Sequence, residues 1–598
     1  MLHDLVRYYE ILESEDGSSI PKRGYGTANI SFALNIDDDG NLINITSCKI
    51  TAGKKTVPAL MTVPEPVIGR TGTKVLPDFL FGNSGYVLGF DNKGKPDRAK
   101  ECFASFKKHN ISILRNAQCN EADAVIRFLE KWEPDKALEK PVLTEYLDEI
   151  YKGAVFIFRY YGRNVHDVPS VKKAWMEYKN KSSESPVRQC LVTGETGPIA
   201  NLHPAIKGLY KGQAMGNQLV SYNKPAYESY NPTKKKRQGL NGPVSEYAAF
   251  AYGTALNSLL ADPTYKIILG DTTVVFWAET TLRDYSDMFS LFLDCSQLNT
   301  DDEKKKTVRS SEAEKSVRSV LENISRGKRA DIDEVYRKAK EDNVRFFILG
   351  MSPNKARISV RFYLKGLFGS FMYNIEQHYE DLAIETYENE RTFIPIWKIL
   401  EETLAKTSDD KSVSTYLSTS LMRAVLMGED YPQSLYQTIL LRIHAEHDIN
   451  YCKAAIIKAC LLRKARKNGS KTDKEVLTLS FNEETKNKAY RLGRLFAVLE
   501  HVQKKAVDDI ETTIRDRYLS AACTTPASTF PTLLTRAQHH LSSISKDDYG
   551  SYVYFDKLIG EIMKPLDVEN DPLPKTLSLD EQGLFYLGFY HQRNKLYE

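Results

Sequence analysis

Strand-type patterns fill the first part of this sequence and stop at about Gly369. Every later segment with a clear period reads as helix. Before that point, residues 30–41 and 43–50 alternate around Asp37-Asp38-Asp39-Gly40, a hairpin signal. Residues 155–160 form a further strand, and KIILG and TTVVFWAE within 266–278 are two of the buried type. Strand character returns at 345–349 and 356–363, around Ser352-Pro353-Asn354. Beyond Gly369, segments 374–386, 395–404, 413–427, 433–447 and 451–464 carry apolar residues at helical spacing. The fold class is therefore α+β, a mixed α/β N-terminal region followed by an all-α C-terminal helical bundle.

A chain of 598 residues exceeds one core and suggests about two to four domains. The expected boundaries are 1–369 for the mixed domain, 370–470 for a helical domain and 471–598 for a C-terminal bundle. The polar run KARKNGSKTD at 464–473 reads as the linker between the last two. In the bundle, Leu492, Leu495, Phe496, Leu499 and Val502 make a core stripe. Arg491 and Arg494 lie three apart on a face outside that stripe. The charge-dense stretch 301–340 reads as a helical insertion.

The best-marked helix of the N-terminal region follows Pro243. Ser245 is its N-cap, Glu246 suits the positive end of its dipole, and Ala248, Tyr252, Ala255, Leu256 and Leu259 share one apolar face. Helices are also expected at 2–12, 99–108, 121–132 and 171–179.

Eight isolated cysteines fit reduced thiols better than a disulfide framework. The N-terminus, MLHDLVRYYEILESEDG, has acids among its apolar residues and no cleavage pattern, and no apolar run is long enough to span a bilayer. A cytoplasmic location without membrane contact is expected. The formal charge of +4 is close to balance at this length, so any nucleic-acid contact must come from local patches.

Two such patches stand out. The stretch TAGKKTVPALMTVPEPVIGRTGTKVLPDFLFGN carries Lys54, Lys55, Arg70 and Lys74 against only Glu65 and Asp78, and its prolines rule out a long helix. It suits a solvated surface loop or a set of phosphate and base-edge contacts. Lys234, Lys235, Lys236 and Arg237 form the densest basic run, flanked by Asn223, Tyr227, Tyr230, Gln238 and Asn241. Such a run attracts polyanions without reading sequence, or simply keeps a loop soluble.

No catalytic constellation emerges. His444, Glu446, His447, Asp448 and Cys452 cluster at a helix end, but the HExxH order is absent. Cys190 and His203 lack further ligands at zinc spacing, and GETGPIAN and AGKKT lack the full phosphate-loop pattern. The expectation is a protein without catalytic activity, resident metal or cofactor.

Several blocks carry a family resemblance: LHDLVRYYEIL and GYGTANISFALNIDDDGNL, PDFLFGNSGYVLG, CLVTGETGPIANLHPAIKGL, GQAMGNQLVSYNKPAYESYN, QGLNGPVSEYAAFAYGTALNSLL, GMSPNKARISVRFYLKG and NKAYRLGRLFAVLE. In wording and order the chain resembles the large subunit of the subtype I-C CRISPR effector complex (Cascade), nearly from end to end. The resemblance implies a non-catalytic subunit that reads a short duplex tag, the protospacer-adjacent motif (PAM), of pyrimidine-rich TTC type. The subunit would also aid R-loop formation and hold the displaced strand, while base pairing with a guide RNA supplies most of the sequence information.

By that analogy Lys54, Lys55, Arg70, Thr71 and Lys74 hold phosphates or base edges. Asn83 is either a base-reading amide or a turn residue in Gly82-Asn83-Ser84-Gly85. Lys234, Lys235, Lys236 and Arg237 contact DNA non-specifically, and Arg491, Arg494, Arg515, Arg517 and Arg536 line a groove for single-stranded DNA. Implied partners are the guide RNA ribonucleoprotein, the Cascade backbone subunits and the subunit holding the guide 5′ end. A small subunit, the target double-stranded DNA and a separate helicase–nuclease complete the set. The C-terminal bundle resembles a Cascade small subunit, which the family also makes separately by internal translation. No methionine lies near residues 476–479, so an internal start there would need a non-AUG codon. The rival readings are a metal-dependent nuclease and a purely structural bridge.

Overall fold

The computed structural model describes residues 1–15, 20–52, 55–67, 75–90, 95–182, 185–222, 224–228, 239–299, 311–326, 334–386, 393–406, 413–469, 476–507, 510–566 and 572–597. The fold is α+β, with a mixed N-terminal region and a long helical C-terminal stretch. Its contacts divide it into two compact units. One comprises Met1–Gly208, Gln213–Ser258 and Lys355–Arg357; the other comprises Leu209–Gly212, Leu259–Asn354 and Ile358–Glu598.

In the first unit, β1 (Tyr25–Ile30), β2 (Phe32–Ile36), β3 (Leu42–Ser47), β4 (Lys49–Ala52), β5 (Lys55–Pro64), β6 (Phe81–Asn83), β7 (Val155–Tyr160) and β8 (Arg163–Asn164) build two sheets. The larger has the order β3-β2-β7-β6, with β8 also paired to β7. Its inner face, carrying Phe32, Leu34, Phe156 and Phe158, packs with Phe106, Phe128 and Trp175. These last three come from the helices Pro96–Leu114, Asn120–Lys131 and Pro169–Ser182. Its other face carries Ala33, Phe81 and Ile157, which meet Ile30 and Val63 of the second sheet, β1-β5-β4.

The expected hairpin is present, and Gly40 shows why its tip has the sequence it has. Gly40 has φ +76°, and a Cβ there would lie 2.4 Å from the Phe128 nitrogen. The tip is thus clamped to the Asn120–Lys131 helix, where Lys131 Nζ donates to the Asp39 carbonyl at 2.7 Å.

Residues 51–64 correct the reading of that stretch as loop. They complete β4 and form β5 despite Pro58 and Pro64. The register explains the tolerance. Residues 55–58 pair only with β4 and residues 59–64 only with β1, so no residue of β5 is bonded from both sides. A proline lacks one donor, and here no second neighbour demands it.

The region after residue 185 holds two short strands, β9 (Val187–Gln189) and β10 (Thr196–Pro198), before the helix Glu246–Ala261. Ser245 caps that helix as expected, its Oγ accepting from Ala248 N at 3.1 Å. All five apolar-face residues expected there are buried.

The second unit is built on a sheet of its own. Its strands β13 (Lys266–Leu269), β14 (Thr272–Ala278), β15 (Arg345–Asn354) and β16 (Arg357–Leu367) lie side by side in one sheet. (β11, Ala205–Ile206, and β12, Asn217–Gln218, are two-residue strands.) Ser352-Pro353-Asn354 belongs to β15 rather than to the turn, which falls at Lys355, φ +55°. Phe276 and Phe346 of this sheet share one hydrophobic core with Phe371, Tyr379, Tyr436, Tyr490 and Phe585. The strands before Gly369 and the helices after it therefore bury their apolar surface together. At the C-terminal end, a Cβ on Gly583 would lie 2.2 Å from the Tyr436 hydroxyl, which donates to the Leu579 carbonyl at 2.8 Å.

Candidate nucleic-acid interface

Ala52 at the end of β4 pairs with Lys55, whose backbone opens β5. Lys54 itself, with Arg70, Thr71 and Lys74, lies outside the described residues, as do Lys234, Lys235, Lys236 and Arg237. The face of the β1-β5-β4 sheet away from the core presents Thr27, Asn29, Thr56, Pro58, Leu60 and Thr62 to solvent. Four of these six side chains are polar, Pro58 and Leu60 are apolar, and none is acidic.

Asn83 ends β6 and caps the short helix Ser84–Val87, its Oδ1 accepting from Tyr86 N at 3.2 Å. Half of its amide is thereby committed to the chain's own backbone. Its Nδ2 has no partner among the described residues.

Arg491 and Arg494 correct the groove reading. Both are buried on the helix Lys488–Ala506, at 4% and 1% exposure. Arg491 NH2 donates to the Glu483 carbonyl at 3.1 Å and NH1 to that of Ile562 at 3.3 Å. Arg494 Nε donates to Gln592 Oε1 at 3.0 Å, NH1 reaches the Glu483 carbonyl at 3.0 Å, and the guanidinium stacks 4.5 Å over Phe481. Burial lowers the pKa of both guanidiniums, yet arginine stays charged at any working pH. The pair ties the preceding loop and the C-terminal helix to the core, and its donors are consumed inside the protein. Arg515 is half-buried, with Nε 3.6 Å from the buried Glu500 carboxylate.

Arg517 and Arg536 are exposed, on the helices Ile514–Thr524 and Pro526–Asp547. Arg536 lies 5.2 Å over the Tyr518 ring. Around Arg536, the solvent face of its helix carries Thr532, Thr535, Gln538, His539, Ser542, Ser543 and Lys546, and no acid occurs from Pro526 to Lys546. Hydroxyl, amide, imidazole and cationic groups along about 20 Å of helix are phosphate-binding chemistry. Sequence reading found only the arginine. The missing signal was an absence, twenty-odd residues without a carboxylate, which a search for basic clusters passes over.

The family of CRISPR-associated protein (Cas_Csd1) matches residues 5–597. The chain belongs to that family. The match runs through both compact units, so the strand-rich and the helical parts are together one Cas_Csd1 protein. No curated protein matches the chain.

For a Cas_Csd1 chain, the remaining polar clusters are internal. At the helix end singled out for metal-like residues, Glu446 pairs with Lys453 at 2.6 Å and Asp448 with Lys406 at 2.8 Å. His444 is held by Gln582 and Tyr586. Cys190 is buried beneath the Glu246–Ala261 helix, its Sγ accepting from Ser245 N at 3.2 Å and Val192 N at 3.4 Å. Burial pushes its pKa up, but hydrogen bonds from Ser245 and Thr193 outweigh that and bring it down to about 7. His203 bonds the Tyr252 hydroxyl at 2.7 Å, and burial lowers it to about 4. Among the described residues no group of three or more His, Cys, Asp or Glu side chains could hold a metal ion, and no helix is long and apolar enough to cross a membrane.

Proposed function

We propose that this chain is the non-catalytic large subunit of a type I-C RNA-guided surveillance complex, recognising a PAM in duplex DNA, aiding R-loop formation and holding the displaced strand. Family membership supports a CRISPR role. The observation that carries the strand-holding part is the helical face around Arg536, free of acids from Pro526 to Lys546, where a guanidinium over Tyr518 offers both charge and a stacking surface. The acid-free outer face of the β1-β5-β4 sheet, with Thr27, Asn29, Thr56 and Thr62 exposed, supports duplex contact. The complex then recruits a separate helicase–nuclease for cleavage.

The test is DNA binding by the reconstituted guide complex, with and without this chain, on targets differing only in the flanking tag. Tag-dependent binding that requires the chain is the expected result. Binding that needs the chain but ignores the tag would reduce it to a scaffold or strand holder. Metal-dependent cleavage by the isolated chain would overturn its non-catalytic role.

A further inference from the structure

The second sheet of the N-terminal unit covers only half of the face on which it sits. Along β2 and β7 that face begins apolar, with Ala33 and Ile157 in the core, and two residues later turns polar, with Asn35 and Arg159. The register continues this polar level across four strands: Asn44 of β3 opposite Asn35, Asn35 opposite Arg159 of β7, and Arg159 opposite Asn164 of β8. At 4.7–4.9 Å per strand, the row is about 14 Å long.

Its side chains hold one another. Asn35 Nδ2 donates to Asn44 Oδ1 at 2.6 Å and to Thr46 Oγ1 at 2.7 Å. Arg159 Nε donates to Asn164 Oδ1 at 2.8 Å, whose Nδ2 donates to Asp167 at 3.1 Å. These bonds leave Asn35 Oδ1, Asn44 Nδ2 and both terminal nitrogens of Arg159 without partners among the described residues. Arg159 has no ion pair there either, because the neighbouring Asp167 is engaged by Lys172 at 3.1 Å. Asn44 and Thr46 are exposed, and the rest of the row is partly so.

Sheet stability does not explain these choices. Asparagine is among the poorest strand residues, and a β-branched side chain would pair better at 35 and 44. A guanidinium without a direct ion pair, among amides and a hydroxyl and fixed in a line, is an acceptor-seeking strip. It is too long for one small anion and has no aromatic ring for base stacking.

We propose that the row Asn44–Asn35–Arg159–Asn164, with Thr46, binds the phosphodiester backbone of a nucleic-acid strand. Arg159 takes a phosphate and the amides and hydroxyl take neighbouring phosphate and sugar oxygens. The inference rests on the reading that this chain contacts nucleic acid, and adds a site on the sheet that sequence reading did not mark.

The test is titration of the full chain against a fluorescent DNA duplex, the same single-stranded DNA and the same single-stranded RNA, each over a series of salt concentrations. The three probes distinguish the sources of the backbone. Arg159→Gln is expected to weaken at least one probe about threefold or more and to lower its salt slope by about 0.9 for duplex or 0.7 for a single strand, while Arg159→Lys keeps the slope. Asn44→Asp, at an exposed position, is expected to weaken the same probe with no change in melting temperature, which keeps the test open should Arg159→Gln fold poorly. Unchanged affinity and slope in Arg159→Gln and Asn44→Asp would make the row a solvated sheet face. If Arg536→Ala weakens binding and these two do not, this inference falls alone. If the wild-type chain binds no probe, it falls together with the functional reading.

Discussion

Gly493 lies directly against the carbonyl of Phe585, so close that a Cβ at 493 would stand 1.9 Å from that oxygen. The contact is reciprocated on the same pair of helices, where a Cβ at Gly588 would stand 2.0 Å from the Tyr490 carbonyl. Two backbones cross at two glycines, and neither obstructing atom is a side chain that can swing away. Gly493→Ala and Gly588→Ala are each expected to destabilise the protein by about 3 kcal/mol or more, the upper end of overpacking costs. Thermal or denaturant melting checks this. A loss below about 1 kcal/mol would mean that the helices separate easily and that the crossing is not close-packed.

Arg494 and Arg536 separate a structural guanidinium from a surface one. Arg494→Ala strands Gln592 Oε1 inside the core and removes one of the two guanidinium bonds to the Glu483 carbonyl, and each lost bond to a charged group is worth about 1.5–3 kcal/mol. Its melting temperature should fall markedly. Arg536→Ala loses only an exposed stacking contact with Tyr518, so its stability should stay within about 0.5 kcal/mol while single-strand affinity and its salt slope decline. Equal melting of the two variants would contradict the burial of Arg494.

Much of the fold was legible before the structure. The strand at 155–160 appears with those bounds as β7, and Pro243, Ser245 and Glu246 marked the start of the helix Glu246–Ala261 because capping is local chemistry. The failures share a cause. Prolines hid β5 because their tolerance depends on which neighbour pairs with which half of the strand, and sequence spacing does not carry that. Arg491 and Arg494 fell outside the apolar stripe, as a solvated pair would, but carbonyls from residues 483, 485 and 562 enclose Arg491. The Asn44–Asn35–Arg159–Asn164 row joins positions up to 129 residues apart in a hairpin and a parallel crossover, so no local window contains it.

Buried histidines set a pH dependence of stability. Burial lowers His378 and His591 to about 3 and His203 to about 4, each bonded through one ring nitrogen to a tyrosine hydroxyl. Unfolded imidazoles titrate near 6.5, so below that pH the unfolded chain takes up protons that the folded chain refuses. Stability is fully present above about 6.5 and declines as pH falls, down to about 4 for His203 and about 3 for the other two. Between pH 6.5 and 5 each histidine removes up to about 2 kcal/mol. Melting curves across pH 8 to 5 should show a plateau and then a fall, and His378→Phe should flatten part of that fall despite losing the bond to Tyr431. A midpoint independent of pH over this range would mean that these rings are open to solvent.

Asn83 can be assigned by two substitutions that a cap and a base reader answer differently. Its Oδ1 accepts from Tyr86 N, and its Nδ2 is the half left over among the described residues. Asn83→Asp keeps the acceptor and the cap but removes the donor and adds a negative charge, whereas Asn83→Ala removes both halves and costs about 1 kcal/mol of capping. If the residue is only a cap, Asn83→Asp should melt like the wild type and leave tag-dependent binding of the guide complex unchanged. If its amide also reads a base edge, Asn83→Asp should abolish discrimination between tags, because the carboxylate can no longer donate and repels the neighbouring phosphates. Melting and tag-dependent affinity measured on the same two variants decide it, since only base reading separates the two readouts.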